Sequence, residues 1–371
     1  MWFGHQPFFI TDDEIRWRVY SSYLPLIDAL VERAIPFSLG LSGGTLERMD
    51  KLVPGFLEQL RTSIGTGLIS IAGTAAHHPV MPWLSTASAR AHIEEDKRIR
   101  KEHGLPSAGV FWPTELAWSM RVGKLVHDAG YHAIVIDSRC CDTADLMPTW
   151  KQLDNKLVAD TTCVERVRRN NVLRLHFHDA HSPLDLWVRD GELAHALVHI
   201  LRSDECDERQ ELNAFRDALE ISLSKSADPV APILLADDIE RLLPDGLARL
   251  LDLLDGLSAQ NIRFCTAQEF GIYEARPISY VPAGTMEGGQ DLWDLSVDDR
   301  WFREHLERLT RQMEARINFR KPKDEEHMIM RDRLLRIQDS GFYFWHFIAR
   351  SRRPFYDELF SLENWIDRAE H

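Results

Sequence analysis

Gly109-Val110-Phe111-Trp112-Pro113-Thr114-Glu115 begins as a strand and ends as a loop carrying an acid. Val110, Phe111 and Trp112 show no polar alternation, which suits a parallel strand covered on both faces. Pro113 lacks an N–H and stops the ladder, so Glu115 is delivered just past the C-terminal end of the strand. The same rhythm recurs on either side. Apolar runs of strand length are Met1–Gly4, Pro36–Gly40, Leu68–Gly73, Gly109–Trp112, His132–Asp137, Val172–His178, Pro232–Asp237 and Ile262–Cys265, eight in all. Helical stretches lie between them. Thr11-Asp12-Asp13-Glu14 is a capping box opening a helix toward Arg33, Met120–Ala129 closes at Gly130, and Leu247–Leu257 is leucine-periodic. Repeated β-then-α units predict an α/β fold with a parallel sheet and right-handed crossovers, closed or nearly closed into a barrel.

The pattern changes beyond residue 275. Val297–Ile317 carries Trp301, Phe302, Leu306, Leu309 and Met313 at helical spacing, Arg320–Glu326 reads as a charged turn, and Ile329–Phe347 and Pro354–Ile366 are helical and aromatic-rich. The expected organisation is a β/α barrel over residues 1–275 and a C-terminal helical subdomain over 290–371 packed on it. At 371 residues the chain is longer than one core usually supports. The formal net charge of -14 disfavours a phosphate-backbone partner, so no nucleic acid is expected. No apolar run reaches the roughly 18 residues of a membrane span, and the N-terminal residues lack a signal-peptide pattern. Five cysteines with no C-x-x-C pair fit reduced thiols and a cytoplasmic enzyme.

Ionisable residues collect where the predicted strands end: His5, His77 and His78, Glu115, Asp137, His178 and Asp179, Asp237 and Asp238. Any one could simply face water; groups from six segments converging on one rim predict an active site. Two carboxylates from different strand ends suit glycoside cleavage, one attacking the anomeric carbon and the other serving the leaving oxygen as acid and then water as base. Glu115 and Asp238 are the candidates, and Trp112 offers a flat face to a sugar ring. The plainer alternatives are an acidic first helical turn for Glu115 and an N-cap for Asp237 or Asp238.

At these residues the sequence resembles glycoside hydrolase family 57. His5-Gln6-Pro7, His78-Pro79-Val80-Met81-Pro82-Trp83-Leu84, Gly109–Glu115 and Asp238-Ile239-Glu240 resemble four of its five short regions, in order. Gln338-Asp339-Ser340-Gly341-Phe342-Tyr343-Phe344-Trp345 is the nearest match to the fifth, with Gly341 where that region has Asp. His176-Phe177-His178-Asp179 is similar to its Phe-Arg-Asp element, with His178 in place of the arginine. The resemblance implies a (β/α)7-type barrel, so one of the eight strands is surplus. It further implies Glu115 as nucleophile, Asp238 as acid/base, and a site for an α-glucan or maltooligosaccharide, α-1,4-linked, to which His5, His78, Trp112, His178, Asp179 and Trp345 bind. No cofactor and no metal are implied. Two other readings remain open on the residues alone. One is a metal-dependent hydrolase of the polysaccharide deacetylase or α-mannosidase type, using His176, His178, Asp179 and His181. The other is a non-catalytic α-glucan binder.

Overall fold

The computed structural model describes residues 1–105, 107–141, 150–153, 156–159, 172–177, 180–202, 213, 215–220, 233–242, 244–259, 262–270, 276–278, 281, 283–286, 297–317, 324–341 and 353–368. Strands β1 (Trp2–Gly4), β2 (Phe37–Leu41), β3 (Ile69–Ala72), β4 (Val110–Phe111) and β5 (Ala133–Asp137) are buried along their whole length. They are followed by an antiparallel hairpin of β6 (Trp150–Leu153) and β7 (Lys156–Ala159), then β8 (Val172–Leu175), β9 (Leu184–Arg189), β10 (Asp237–Asp238) and β11 (Arg276–Ile278).

β10, β1, β2 and β3 pair in parallel in that order, and β4, β5 and β9 do the same. Two bridges join these halves. Gly73 pairs with Phe111, its N–H donating to the Val110 carbonyl at 2.8 Å, which fastens β3 to β4. Arg189 pairs in parallel with Leu234, which leads into β10. Following the pairings returns to the start after seven strands: the sheet is a (β/α)7 barrel.

The sixth barrel strand is β9, which the apolar pattern missed because Asp185 and Arg189 interrupt it. Asp185 is neutralised by Arg174 of β8 through two hydrogen bonds of 2.8 and 2.9 Å. The expected strand Val172–His178 is β8, paired antiparallel to β9 outside the ring and flanked by β11. Ile262–Cys265 makes no ladder; Ile262 and Phe264 owe their apolarity to packing on the main core.

The helices follow the caps. Thr11 accepts the Glu14 N–H at 3.2 Å and opens α1 (Asp12–Arg18). A π-helical turn at Val19–Tyr23 precedes α2 (Leu24–Glu32), where Pro25 supplies no N–H to the preceding turn. The barrel is sheathed further by α3 (Gly43–Leu52), α4 (Phe56–Gly65), α5 (Thr86–Glu102), α6 (Met120–Asp128), α7 (Gly191–Arg202) and α8 (Pro244–Ser258). Past these come α9 (Val297–Arg316), α10 (Glu325–Ile337) and α11 (Arg353–Arg368). Phe302, Leu309, Met313, Leu334, Leu335, Phe355 and Leu359 join these three helices in one core that also takes in Val80, Ala91 and Ala117 of the barrel. Each fully buried side chain of this size contributes about 1.5–3 kcal/mol, so the appendage is docked by burial. α10 ends at Ile337, inside the expected run Ile329–Phe347, of which residues 342–347 lie outside the described residues. Among the described residues no helix is long and apolar enough to cross a membrane.

Candidate active site

A narrow cleft opens at the C-terminal rim of the barrel. The segment after β3 contributes His78, that after β4 Trp112, Glu115 and Leu116, the end of β9 Arg189, and β10 Asp237 and Asp238. β4 and β10 stand across the ring from each other, separated by β5 and β9 on one side and by β1, β2 and β3 on the other. Of the two aspartates, Asp237 is buried and Asp238 is partly open to solvent.

The backbone around Glu115 is strained. Pro113 holds the chain extended, and Glu115 and Leu116 then take φ of 51° and 50°, the left-handed region. Such a conformation costs a non-glycine residue about 1–2 kcal/mol. Among the described residues four non-glycines have positive φ, and three of them, His78, Glu115 and Leu116, line this cleft. Strain concentrated around one cleft is a mark of a functional site. It is held in place from outside: the Met286 N–H donates to the Glu115 carbonyl at 3.0 Å, Trp118 pairs with Gly284, and the Thr74 hydroxyl donates to the Trp112 carbonyl at 2.7 Å.

Behind the cleft four rings form a column. Trp112 stacks on Phe3 at 5.4 Å, Phe3 on His78 at 4.9 Å, and His78 on His5 at 4.4 Å between ring centres. Trp112 therefore already has one face covered by Phe3. The Nδ1 atoms of His5 and His78 meet Ser42 Oγ at 2.8 Å and Ser340 Oγ at 3.2 Å, and Nε2 of His5 meets Asp339 Oδ2 at 3.0 Å. His5 thus has both ring nitrogens engaged within the protein, whereas His78 Nε2 has no protein partner and belongs to a residue of the cleft lining. Burial pushes both imidazoles well below their usual range, so both are neutral at neutral pH.

Two further acids lie behind this wall. Asp339, pushed up to about 7 by burial, also accepts the Gly341 N–H at 2.7 Å. A Cβ on Gly341 would lie 3.0 Å from Asp339 Oδ1 and 3.2 Å from Phe9 and Pro7, so the Asp339 carboxyl crowds the space a side chain at 341 would take. Glu240 accepts from the His5 N–H and Gln6 Nε2, each at 2.8 Å, and from the Tyr23 hydroxyl. Burial, then the charge of Asp238, pushes Glu240 up to about 7. On the far side Asp137 holds Arg189 at 3.3 Å and Arg139 at 2.8 Å, while Arg189 Nε donates to the Ala236 carbonyl at 3.0 Å.

A model of Glycosyl hydrolase family 57 matches residues 10–243. The chain belongs to this family. Within family 57, its sequence is similar to a 4-alpha-glucanotransferase of Thermococcus litoralis, 26% identical over 137 residues, which are 36% of this chain and 20% of that protein. The fold is similar to the crystal structure of a 4-alpha-glucanotransferase from that organism, at TM-score 0.68, 16% identity and coverage of 92% of this chain and 55% of that one. It is also similar to a GH57 branching enzyme of Thermococcus kodakaraensis in complex with glucose and additives, at TM-score 0.71, 14% identity and coverage of 99% and 88%. The chain thus spans a fifth of the curated relative it matches.

The sequence-predicted residues His78, Trp112, Glu115 and Asp238 meet in the cleft, and His5 stands behind His78. His178, Asp179 and Trp345 lie outside the described residues. Arg189, which ends the sixth barrel strand, lines the cleft. Arg189, Asp339 as partner of His5, Ser340, Ser42 and Tyr23 were not singled out from sequence in these roles. Arg189 carried a readable signal, an arginine closing the run Leu184–Val188; Ser42 and Tyr23 carried none, because their partners lie 37 and 217 residues away.

Proposed function

We propose that this family 57 chain is a retaining α-glucan hydrolase or glucanotransferase acting on α-1,4 linkages. The observation that carries the reading is the arrival of Glu115 and Asp238 in one cleft from opposite sides of the barrel. A carboxylate on each side of a scissile bond is what double displacement requires. Glu115 Oε attacks the anomeric carbon as Asp238 gives its proton to the departing glycosidic oxygen. Asp238 then takes a proton from water or a sugar hydroxyl, whose oxygen displaces Glu115 and keeps the original configuration. Water as acceptor gives hydrolysis; a sugar hydroxyl gives transfer. Asp238 suits the acid/base role because it is the more accessible of the two aspartates. His78, a lining residue whose Nε2 is left unpartnered, binds the sugar, and His5 orients His78 from behind. The names of the similar proteins, both 4-alpha-glucanotransferases and a branching enzyme, support an α-glucan substrate.

The deciding experiment is proton NMR of the first product formed from maltoheptaose. Product released as the α-anomer supports the reading. Release of the β-anomer would mean inversion, and a chelator-sensitive activity that survives Glu115→Gln would favour a metal hydrolase.

A further inference from the structure

A second cavity lies beside the cleft, between the segment that follows His78 and the face of α9. It measures about 250 Å³, with Val80, Leu84 and Leu306 among its apolar lining and Gln338 at its back. Volume of this order is at the small end for ligand sites and fits a hexose ring better than a peptide helix or a nucleotide. Trp83 forms one wall; the Arg303 guanidinium sits 5.3 Å from its ring centre, an arrangement that fixes the indole.

Three charges follow one another along the rim on α9: Arg303, Glu307 and Arg311, one turn apart. The alternation matters. Two arginines alone would suit an anion, but Glu307 between them offsets that preference and offers an acceptor between donors. A fixed aromatic wall with alternating donors and acceptors suits a neutral ligand carrying hydroxyl groups on an apolar ring. Along the chain the cavity is close to the cleft. Val80 is two residues from His78, at most about 7 Å of chain, and Gln338 adjoins Asp339, the partner of His5.

We infer that the cavity between Trp83 and α9 is an accessory sugar site that holds a glucose unit of the same α-glucan chain whose scissile bond lies in the cleft. The inference rests on the α-glucan reading of that cleft. It makes the enzyme sensitive to chain length: a substrate long enough to reach the cavity is held at two places, and a short one only at the cleft.

The test compares maltotriose with maltoheptaose in the wild type and in the double variant Glu307→Ala/Arg311→Ala. Both side chains are exposed, so the variant keeps its fold. The expected result is a KM for maltoheptaose raised about tenfold, as for loss of two charged hydrogen bonds at a surface, with kcat for both sugars and KM for maltotriose unchanged. If neither KM moves, the accessory site is overturned and the cleft reading stands. An equal rise in both KM values also overturns it, because the side chains then serve the cleft itself. If the wild type acts on neither sugar, both readings fall.

Discussion

The two walls of the cleft are built on opposite principles. The wall of His5, His78 and Asp339 is nearly saturated, although His78 shares the left-handed backbone and keeps Nε2 unpartnered: rings stacked at 4.4 and 4.9 Å, serines on both Nδ1 atoms, and charges suppressed by burial. The wall at Pro113–Leu116 is strained, with two successive residues in the left-handed region held by neighbouring segments. A saturated wall can fix a substrate but has little left to offer as a reactant. A strained one presents its acid in a geometry that relaxed backbone would not hold. On the proposed reading, the first wall positions the substrate and the second makes the bond.

The largest effect should come from breaking the strained wall chemically. Glu115→Gln keeps the shape but removes the proposed nucleophile, and kcat on maltoheptaose should fall by about 10⁴ or more. Azide should partly restore turnover to Glu115→Gly and give product of inverted configuration. Full activity in Glu115→Gln would abolish the contrast. Asp238→Asn tests the partner: turnover of natural glucan should fall about 10³-fold, while the first step with an activated aryl glycoside should lose far less, since its leaving group needs little protonation. Equal losses on both substrates would deny Asp238 that role.

The saturated wall makes the next comparison. His78→Ala should lower kcat about 100-fold with the melting temperature nearly kept. His5→Ala should instead destabilise by about 1–3 kcal/mol, because it leaves the buried Asp339 Oδ2 without its hydrogen-bond partner. Thermal unfolding beside kinetics separates the two; identical behaviour of the histidines would erase the distinction between facing the cleft and standing behind it.

The smallest effect concerns pH. Glu240 keeps its proton in the folded state up to about 7, whereas an unfolded glutamic acid gives it up near 4.5. The folded state therefore binds more protons across that window, and stability due to this group is full below about 4.5 and falls as pH rises to 7. Glu240→Gln should flatten that decline by about 3 kcal/mol, measured by urea unfolding at pH 4.5 and pH 7. No difference in slope between variant and wild type would show that Glu240 is ionised throughout.

The barrel was legible where strands carry no charge before their last residue, as at β2, β3 and β5. It was misread at β9, because a bidentate Arg174–Asp185 pair lets a strand carry charge that a pattern of apolar residues cannot anticipate. Glu115 and Asp238 were legible because a proline or a second acid marks the strand end. The support of His5 was not, since Ser42 and Asp339 reach it from 37 and 334 residues away and only closure of the fold makes them neighbours.

Gly341 gives the fold a consequence for how its sequence can vary. The Asp339 carboxyl crowds the place where a residue-341 Cβ would sit, so the two positions are not independent sites but one shared volume with two addresses. Gly341→Asp alone should be poorly tolerated, and Asp339→Ser alone should empty the volume. Made together they exchange the carboxyl between addresses. Coupling of this kind makes the pair, and not either residue alone, the unit in which a carboxyl is kept at this place in the fold.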